Sequence, residues 1–287
     1  MKGASGTKMA PRTRRKINRR AWVWLVAAIL VCRAVLAGET IENARPMAGE
    51  AVFPVDETLS YSISWAGIHC GHMEITSFVD SGPDGDLVYR IVVLSRTTKF
   101  FDGIYRVRSR LDSYFDPRRM TSIRYEEHSL EKKKRKDDVW TVDLEANELV
   151  RTKNGETNRF PIEVERANDP LAFIYRLRTM DTAVGEEFTL GLMTSKGAVE
   201  TVARATKHKK VRTKMGKCDA VAVIPEPRDE MMFSKSGSMV VWIDRAEPKR
   251  PCKIEFDLAF GKLVASLKSA RSAADVDVGA DWEHWGD

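Results

Sequence analysis

Histidine and cysteine are scarce in this chain, five and four residues among 287. Metal and nucleophilic chemistry both need such residues in groups, and few groups are available. No Gly-x-Ser-x-Gly elbow occurs, and a serine or cysteine nucleophile needs a positioned base. His128 and His208 lie in strongly basic stretches, and His284 lies near the C-terminus. The acid pair Glu255 and Asp257 alternates with apolar residues and reads as a solvated strand face. The chain is therefore expected not to be an enzyme and to need no cofactor.

Acidic residues are absent from residues 1–37, which hold nine of the 47 Lys and Arg. The other 38 basic residues face 41 acidic ones, so the net +6 belongs to the leader and the remainder carries −3. A nucleic-acid footprint should sit on the folded domain, so no nucleic-acid partner is expected. Long hydrophobic runs are missing too. The apolar stretch Ala21–Val31 has eleven residues, too few to span a bilayer. With the basic flank Arg12–Arg20 before it and Val35-Leu36-Ala37 after it, it has the three parts of a secretory signal. Cleavage is expected after Ala37, and the expected location is the periplasm or cell envelope of a bacterium. Three rivals are weaker. Bulky Val31 argues against Cys32 as a lipid-anchor cysteine. Arg33 cuts short an uncleaved anchor. The residues after Arg14-Arg15 do not fit twin-arginine export. Membrane contact is expected only through an uncleaved leader or at the periphery.

Residues 38–56 have no periodicity and read as a linker. From Glu57, strict alternation begins: Leu59, Tyr61, Ile63 and Trp65 share one face, and serines and Thr58 share the other. Ala66-Gly67 reads as a turn and Ser81–Asp86 as another. Alternation resumes at Leu87, Tyr89, Ile91 and Val93, and again at Tyr105, Val107, Leu111 and Phe115, opposite Arg106, Arg108 and Arg110. It recurs at Trp140, Val142 and Leu144, at Phe188–Leu192, Val221–Val223, Val241–Ile243, Ile254–Phe260 and Leu263–Leu267. Strands at such spacing predict an all-β domain over 57–269, mainly antiparallel, as a curled open sheet or barrel-like single domain. One short α-helix is expected at about 170–180, because Asp169 can cap it and Pro170 suits its first position. Residues 270–287 read as a disordered acidic tail. Its Trp282 and Trp285 could dock on a partner or fold back on the domain.

The ordered residues Tyr61-x3-Trp65-x-Gly67-x3-Gly71, Tyr105, Asp112-Ser113 and Asp169-Pro170-Leu171 with Arg176 and Arg178 form a pattern. It continues through Trp242-Ile243-Asp244, Pro251, Phe260-Gly261-Lys262 and Leu267. This pattern resembles the bacterial exported proteins grouped as domain of unknown function 3108, over roughly residues 55–269. The resemblance implies an envelope-associated, all-β protein with one short helix. It implies no settled activity and supplies no catalytic residues.

His69-Cys70-Gly71-His72 is the most suggestive metal cluster. On a regular strand only Cys70 and His72 would share a face, and closed zinc sites need four ligands, so no metal is expected. Cys70, Cys218 and Cys252 remain after cleavage. Cys252 alternates with Ile254 and should face the core. A Cys218–Cys252 bridge and a pair of buried thiols are both compatible with the sequence. Lys132–Lys136 and Lys207–Lys217 could meet anionic headgroups if adjacent, but read first as solvated charge. The leading functional expectation is a binding module for an apolar or amphipathic molecule, lined by Tyr61, Trp65, Tyr89, Tyr105 and Trp140. The alternative is an envelope assembly protein that meets a protein partner through its surface and tail. An uncharacterised hydrolase or metalloenzyme ranks third.

Overall fold

The structure is a computed structural model that describes residues 53–82, 85–227, 238–258, 261–275, 279 and 281–285. The leader and residues 38–52 of the expected linker lie outside the described residues. Eight strands form a first meander: β1 (Glu57–Trp65), β2 (Ile68–Ser81), β3 (Leu87–Thr97), β4 (Val107–Asp116), β5 (Thr121–Glu131), β6 (Lys134–Asp143), β7 (Glu148–Lys153) and β8 (Glu156–Pro161). After the two-residue β9 (Ala167–Asn168), a second meander follows: β10 (Glu187–Thr194), β11 (Gly197–Thr213), β12 (Gly216–Pro227), β13 (Ser238–Asp244), β14 (Pro251–Leu258) and β15 (Gly261–Arg271). β15 pairs antiparallel with β1 and joins the meanders into one sheet of 15 strands. Among the described strand pairs, β9–β10 alone is parallel, apart from isolated bridges. The all-β expectation holds.

The sheet curls until its two ends approach. Ile162, just past β8, forms a bridge with Ala198 of β11. Thr121 Oγ1 of β5 donates to the carbonyl of Ala167 at 2.8 Å, and Arg151 of β7 donates to the carbonyl of Ser195 at 3.0 Å. Curling covers edge groups that would otherwise recruit foreign strands. The strand directions place the turns after β1, β5, β7 and β14 at one end, here the upper end.

Among the described residues there are two α-helices rather than one. The first, α1 (Lys99–Tyr105), sits at the upper end between β3 and β4. It takes in Tyr105, expected on a strand; Gly103 and the short polar-apolar mixture there keep no period of two. Leu144 likewise lies past the end of β6 and is exposed. The expected helix is α2 (Pro170–Leu177), capped by Asp169. It lies inside the lower half of the curl, where Leu171, Ala172, Phe173, Tyr175 and Leu177 are all buried. Phe53, at the end of the expected linker, is packed instead of loose. Its ring lies 5.3 Å from Tyr89, 5.0 Å from Phe115 and 5.3 Å from Tyr175, tying α2 to β3 and β4. Burial of such a side chain stabilises by about 1.5–3 kcal/mol.

Charged anchors fix α2 at both ends. The Asp169 carboxylate accepts from Ser113 and Ser122 Oγ, each at 2.6 Å, and from the Leu171 and Ala172 amides at 2.8 and 3.1 Å. Arg178 pairs with Glu57 of β1 and donates to the carbonyls of Lys249 and Pro248 at 3.1 and 2.9 Å.

The tail differs from the disordered expectation. β15 runs on to Arg271, a 3-10 turn covers Ala273–Asp275, and Trp282 is buried against Leu94, Leu130 and Trp285 on the outer face. Arg135 pairs with Glu283, and Arg96 lies 5.6 Å from the Trp285 ring. Two large indoles offset the ordering entropy that the acidic composition alone could not.

On the opposite part of the outer face, the tip of the β11–β12 hairpin folds over β13 and β14. Cys218, Ala220, Ala222, Trp242, Cys252 and Val211 make a second small core there. Cys252 therefore faces away from the main core. A bulge explains this: Trp242 pairs with Lys253 but Ile243 pairs with Pro251, so Cys252 is the extra residue and its face inverts. Cys252 is bonded to Cys218, with Cα atoms 6.5 Å apart and a sequence separation of 34. Closing a loop of that size stabilises by about 3–4 kcal/mol. Reduction should therefore lower the melting temperature markedly, and Cys218→Ser/Cys252→Ser should match the reduced protein. An unchanged melt would contradict the bridge.

Candidate functional site

The structure separates the residues expected to line a ligand. Tyr61, Tyr89 and Trp140 do reach the inner face, but each is engaged. Tyr61 donates its hydroxyl to the carbonyl of Pro251 at 2.8 Å, Tyr89 packs on Phe53, and the Trp140 indole donates to Asp138 at 2.7 Å. Trp65 stands half-buried at the upper end beside Gly261. Tyr105 belongs to α1, outside the curl, and donates to Glu131 at 2.6 Å.

The His-Cys-Gly-His segment also rearranges. Ile63 pairs with Gly71, but Ser64 pairs with His69, leaving Cys70 as a bulged extra residue. The bulge inverts the alternation. Cys70 turns into the core, where burial pushes its thiol up to about 11. His69 and His72 meet on the outer face, ring centroids 4.8 Å apart. Burial lowers the His72 pKa, and Arg96, His69 and Lys268 add to that. A side chain at Gly71 would strike the Arg96 carbonyl, 2.6 Å from an ideal Cβ, so glycine is required there. Among the described residues, one acid-and-sulfur group is tight enough for a metal, Cys218, Cys252 and Asp244, and its sulfurs are joined to each other.

The chemistry that alternation did not reveal lies inside the upper half. One cross-strand row on the inner face reads Tyr61, Met73, Ser95, Ser109, Ser129 and Lys136, from β1 to β6. Three neighbouring strands thus place only serine where a core would place leucine or phenylalanine. Ser95 and Ser129 are 2% and 0% exposed, and their hydroxyls have no hydrogen-bond partner among the described residues. Each such buried group costs about 1–3 kcal/mol until something satisfies it.

A charged cluster adjoins this row. Lys136 pairs with Glu127, and its ammonium lies 3.7 Å from Asp138. Asp138 is fully buried and is held by Arg151 at 2.6 and 2.8 Å as well as by Trp140. Burial pulls the Lys136 ammonium down to about 8, against the opposing pull of Asp138. Lys136 thus leaves the run that the sequence presents as a solvated tip. The second basic run, Lys207–Lys217, lies at the lower end, so the two are not adjacent. Met73 is the direct cross-strand neighbour of Ser95, and half-buried Met239 and Phe256, with buried Leu263, bring β13, β14 and β15 to the same core. The upper half of the inner face therefore carries both buried polar and apolar side chains, with α2 packed in the lower half.

The residues of the family pattern have structural tasks here. Gly67, with φ of 85°, makes the β1–β2 turn. Asp112 holds Arg90 and Arg110 on the outer face, while Ser113, Asp169 and Arg178 anchor α2.

A family model described as Protein of unknown function (DUF3108) matches residues 60–268. No curated protein matches the chain. Among solved structures, a β-barrel-like protein of the unknown-function family DUF1849 from Brucella abortus aligns with a TM-score of 0.51 at 10% identity, over 77% of this chain and 99% of that one. It supports the fold. A protein from Parabacteroides distasonis titled "a putative lipoprotein" aligns at 0.29 and 12% identity, over 77% and 98% of the two chains.

Proposed function

We propose, from the premise that the chain belongs to the DUF3108 family of proteins of unknown function, that it is a non-catalytic exported protein of the cell envelope that takes up an amphipathic small molecule. The reading of export rests on the leader sequence. No helix among the described residues is long and apolar enough to cross a membrane. The single observation that carries the binding function is the buried serine row with its unsatisfied hydroxyls at Ser95 and Ser129. A ligand head would hydrogen-bond there, beside Lys136 and Glu127, while its apolar part lay on Met73, Met239 and Phe256. Binding sites of this kind are mostly apolar with a few placed polar groups.

The reading of an assembly protein acting through its tail gains nothing from the geometry, because Trp282 is spent on the protein's own sheet. Calorimetric titration with a lysophospholipid, kept below its micelle concentration, tests the proposal. Saturable binding with a negative heat-capacity change is expected, as for buried apolar surface. No saturable heat at any temperature, with this ligand or a long-chain fatty acid, contradicts it.

A further inference from the structure

We infer that the upper rim docks on an anionic phospholipid surface. The observation is α1, a helix with no buried residue. Phe100 and Ile104 stand four apart on one face of it and are 73% and 53% exposed. Ile68, the first residue of β2 after the β1–β2 turn, is 60% exposed. All three side chains stand at the upper end, where α1 is tied to its neighbours. The Thr98 amide donates to the Cys70 carbonyl at 2.9 Å, and the Lys132 amide donates to the Arg106 carbonyl at 2.8 Å. Asp102 of α1 takes a two-pronged contact from buried Arg108, at 3.0 and 2.7 Å. The apolar face is therefore presented rigidly, at the end of the molecule where the curl is not floored by α2.

Charge identifies the occupant. Lys99, Lys132 and Lys133 are exposed at the same end. The acids nearest them are already engaged, Asp102 by Arg108 and Glu131 by Tyr105. Exposed apolar side chains accompanied by lysine suit a bilayer interface with negative headgroups, where the rings enter the acyl boundary and the ammoniums stay at headgroup level. A second copy of this chain would bring the same lysines against themselves. The inference does not require a ligand in the interior.

Vesicle co-sedimentation tests it, with protein recovered from its own envelope and phosphatidylcholine vesicles with or without phosphatidylglycerol. Binding is expected only to the phosphatidylglycerol vesicles and should weaken as salt rises. Phe100→Ser/Ile104→Ser should weaken it about tenfold or more, and Lys132→Gln/Lys133→Gln about fivefold for each charge. All four side chains are exposed, so the melting temperatures should stay at the wild-type value. A leucine block of the interior serine row should leave vesicle binding intact, which separates this inference from the carrier reading. Wild-type protein that stays in the supernatant, equal binding to both vesicles, or unimpaired binding by Phe100→Ser/Ile104→Ser would each overturn it. So would self-association that this double variant abolishes in the absence of vesicle binding.

Discussion

Asp169→Ala is expected to cost several kcal/mol, because the helix loses a cap worth about 1 kcal/mol and buried donors left unsatisfied cost about 1–3 kcal/mol each. That is a large share of the roughly 5–15 kcal/mol that stabilises an ordinary domain. Four donors converge on this carboxylate, two from strands β4 and β5 and two from the first turn of α2. Alanine would leave all four without an acceptor in a site closed to water, and the helix would lose both its cap and its tie to the sheet. Asp169→Asn keeps the size and one carbonyl oxygen, and its cost should be clearly smaller. Ser113→Ala removes a single donor and should cost about 1 kcal/mol. Denaturant unfolding of the three variants gives the order. An Asp169→Ala protein within about 1 kcal/mol of wild type, the range of ordinary single substitutions, would mean that α2 is not held as described.

Ser95→Leu/Ser129→Leu is expected to abolish ligand uptake while leaving stability unchanged or raised. If the row faces space meant for a ligand, the leucines fill it and remove two unsatisfied hydroxyls. Each hydroxyl removed then returns about 1–3 kcal/mol. If the row instead faces atoms already in contact, two added side chains overpack the core at about 1–3 kcal/mol each. The sign of the stability change therefore discriminates between a cradle and a filled core. Titration of the same variant with the lysophospholipid supplies the second readout. A destabilised variant that still binds would place the ligand elsewhere.

Much of this architecture was legible from Glu57 onward, because alternation of period two marks strands whose one face is buried. The α2 start was legible from Asp169-Pro170 through capping chemistry alone. The two inverted cysteines share a cause. Cys70 and Cys252 each occupy a bulge, and one extra residue moves every following side chain to the other face. No local signal announces that insertion, except the glycine at position 71, which needs to be small because a neighbouring carbonyl sits above it. A pattern reading therefore put Cys252 in the core and missed that His69 and His72 meet.

The candidate site was hidden for a different reason. Ser95, Ser109 and Ser129 come from three strands, and nothing within any one strand shows that they form a row. In sequence they read as polar positions near strand ends. Only the pairing register brings them side by side and buries them. Lys136 was hidden by its neighbours: in a run of five basic residues, the strand period turns this one inward and leaves Arg135 outside. Tyr61, Tyr89 and Trp140 belong to the core, because a β-core and an apolar pocket ask for the same residues.

If the upper interior carries a molecule, native mass spectrometry of the protein recovered gently from its own envelope should detect it. Wild type and Ser95→Leu/Ser129→Leu would be prepared side by side. An added mass is expected on the wild type that leaves on mild denaturation and is absent from the variant. A bare wild-type mass, or the same added mass on both proteins, would contradict it.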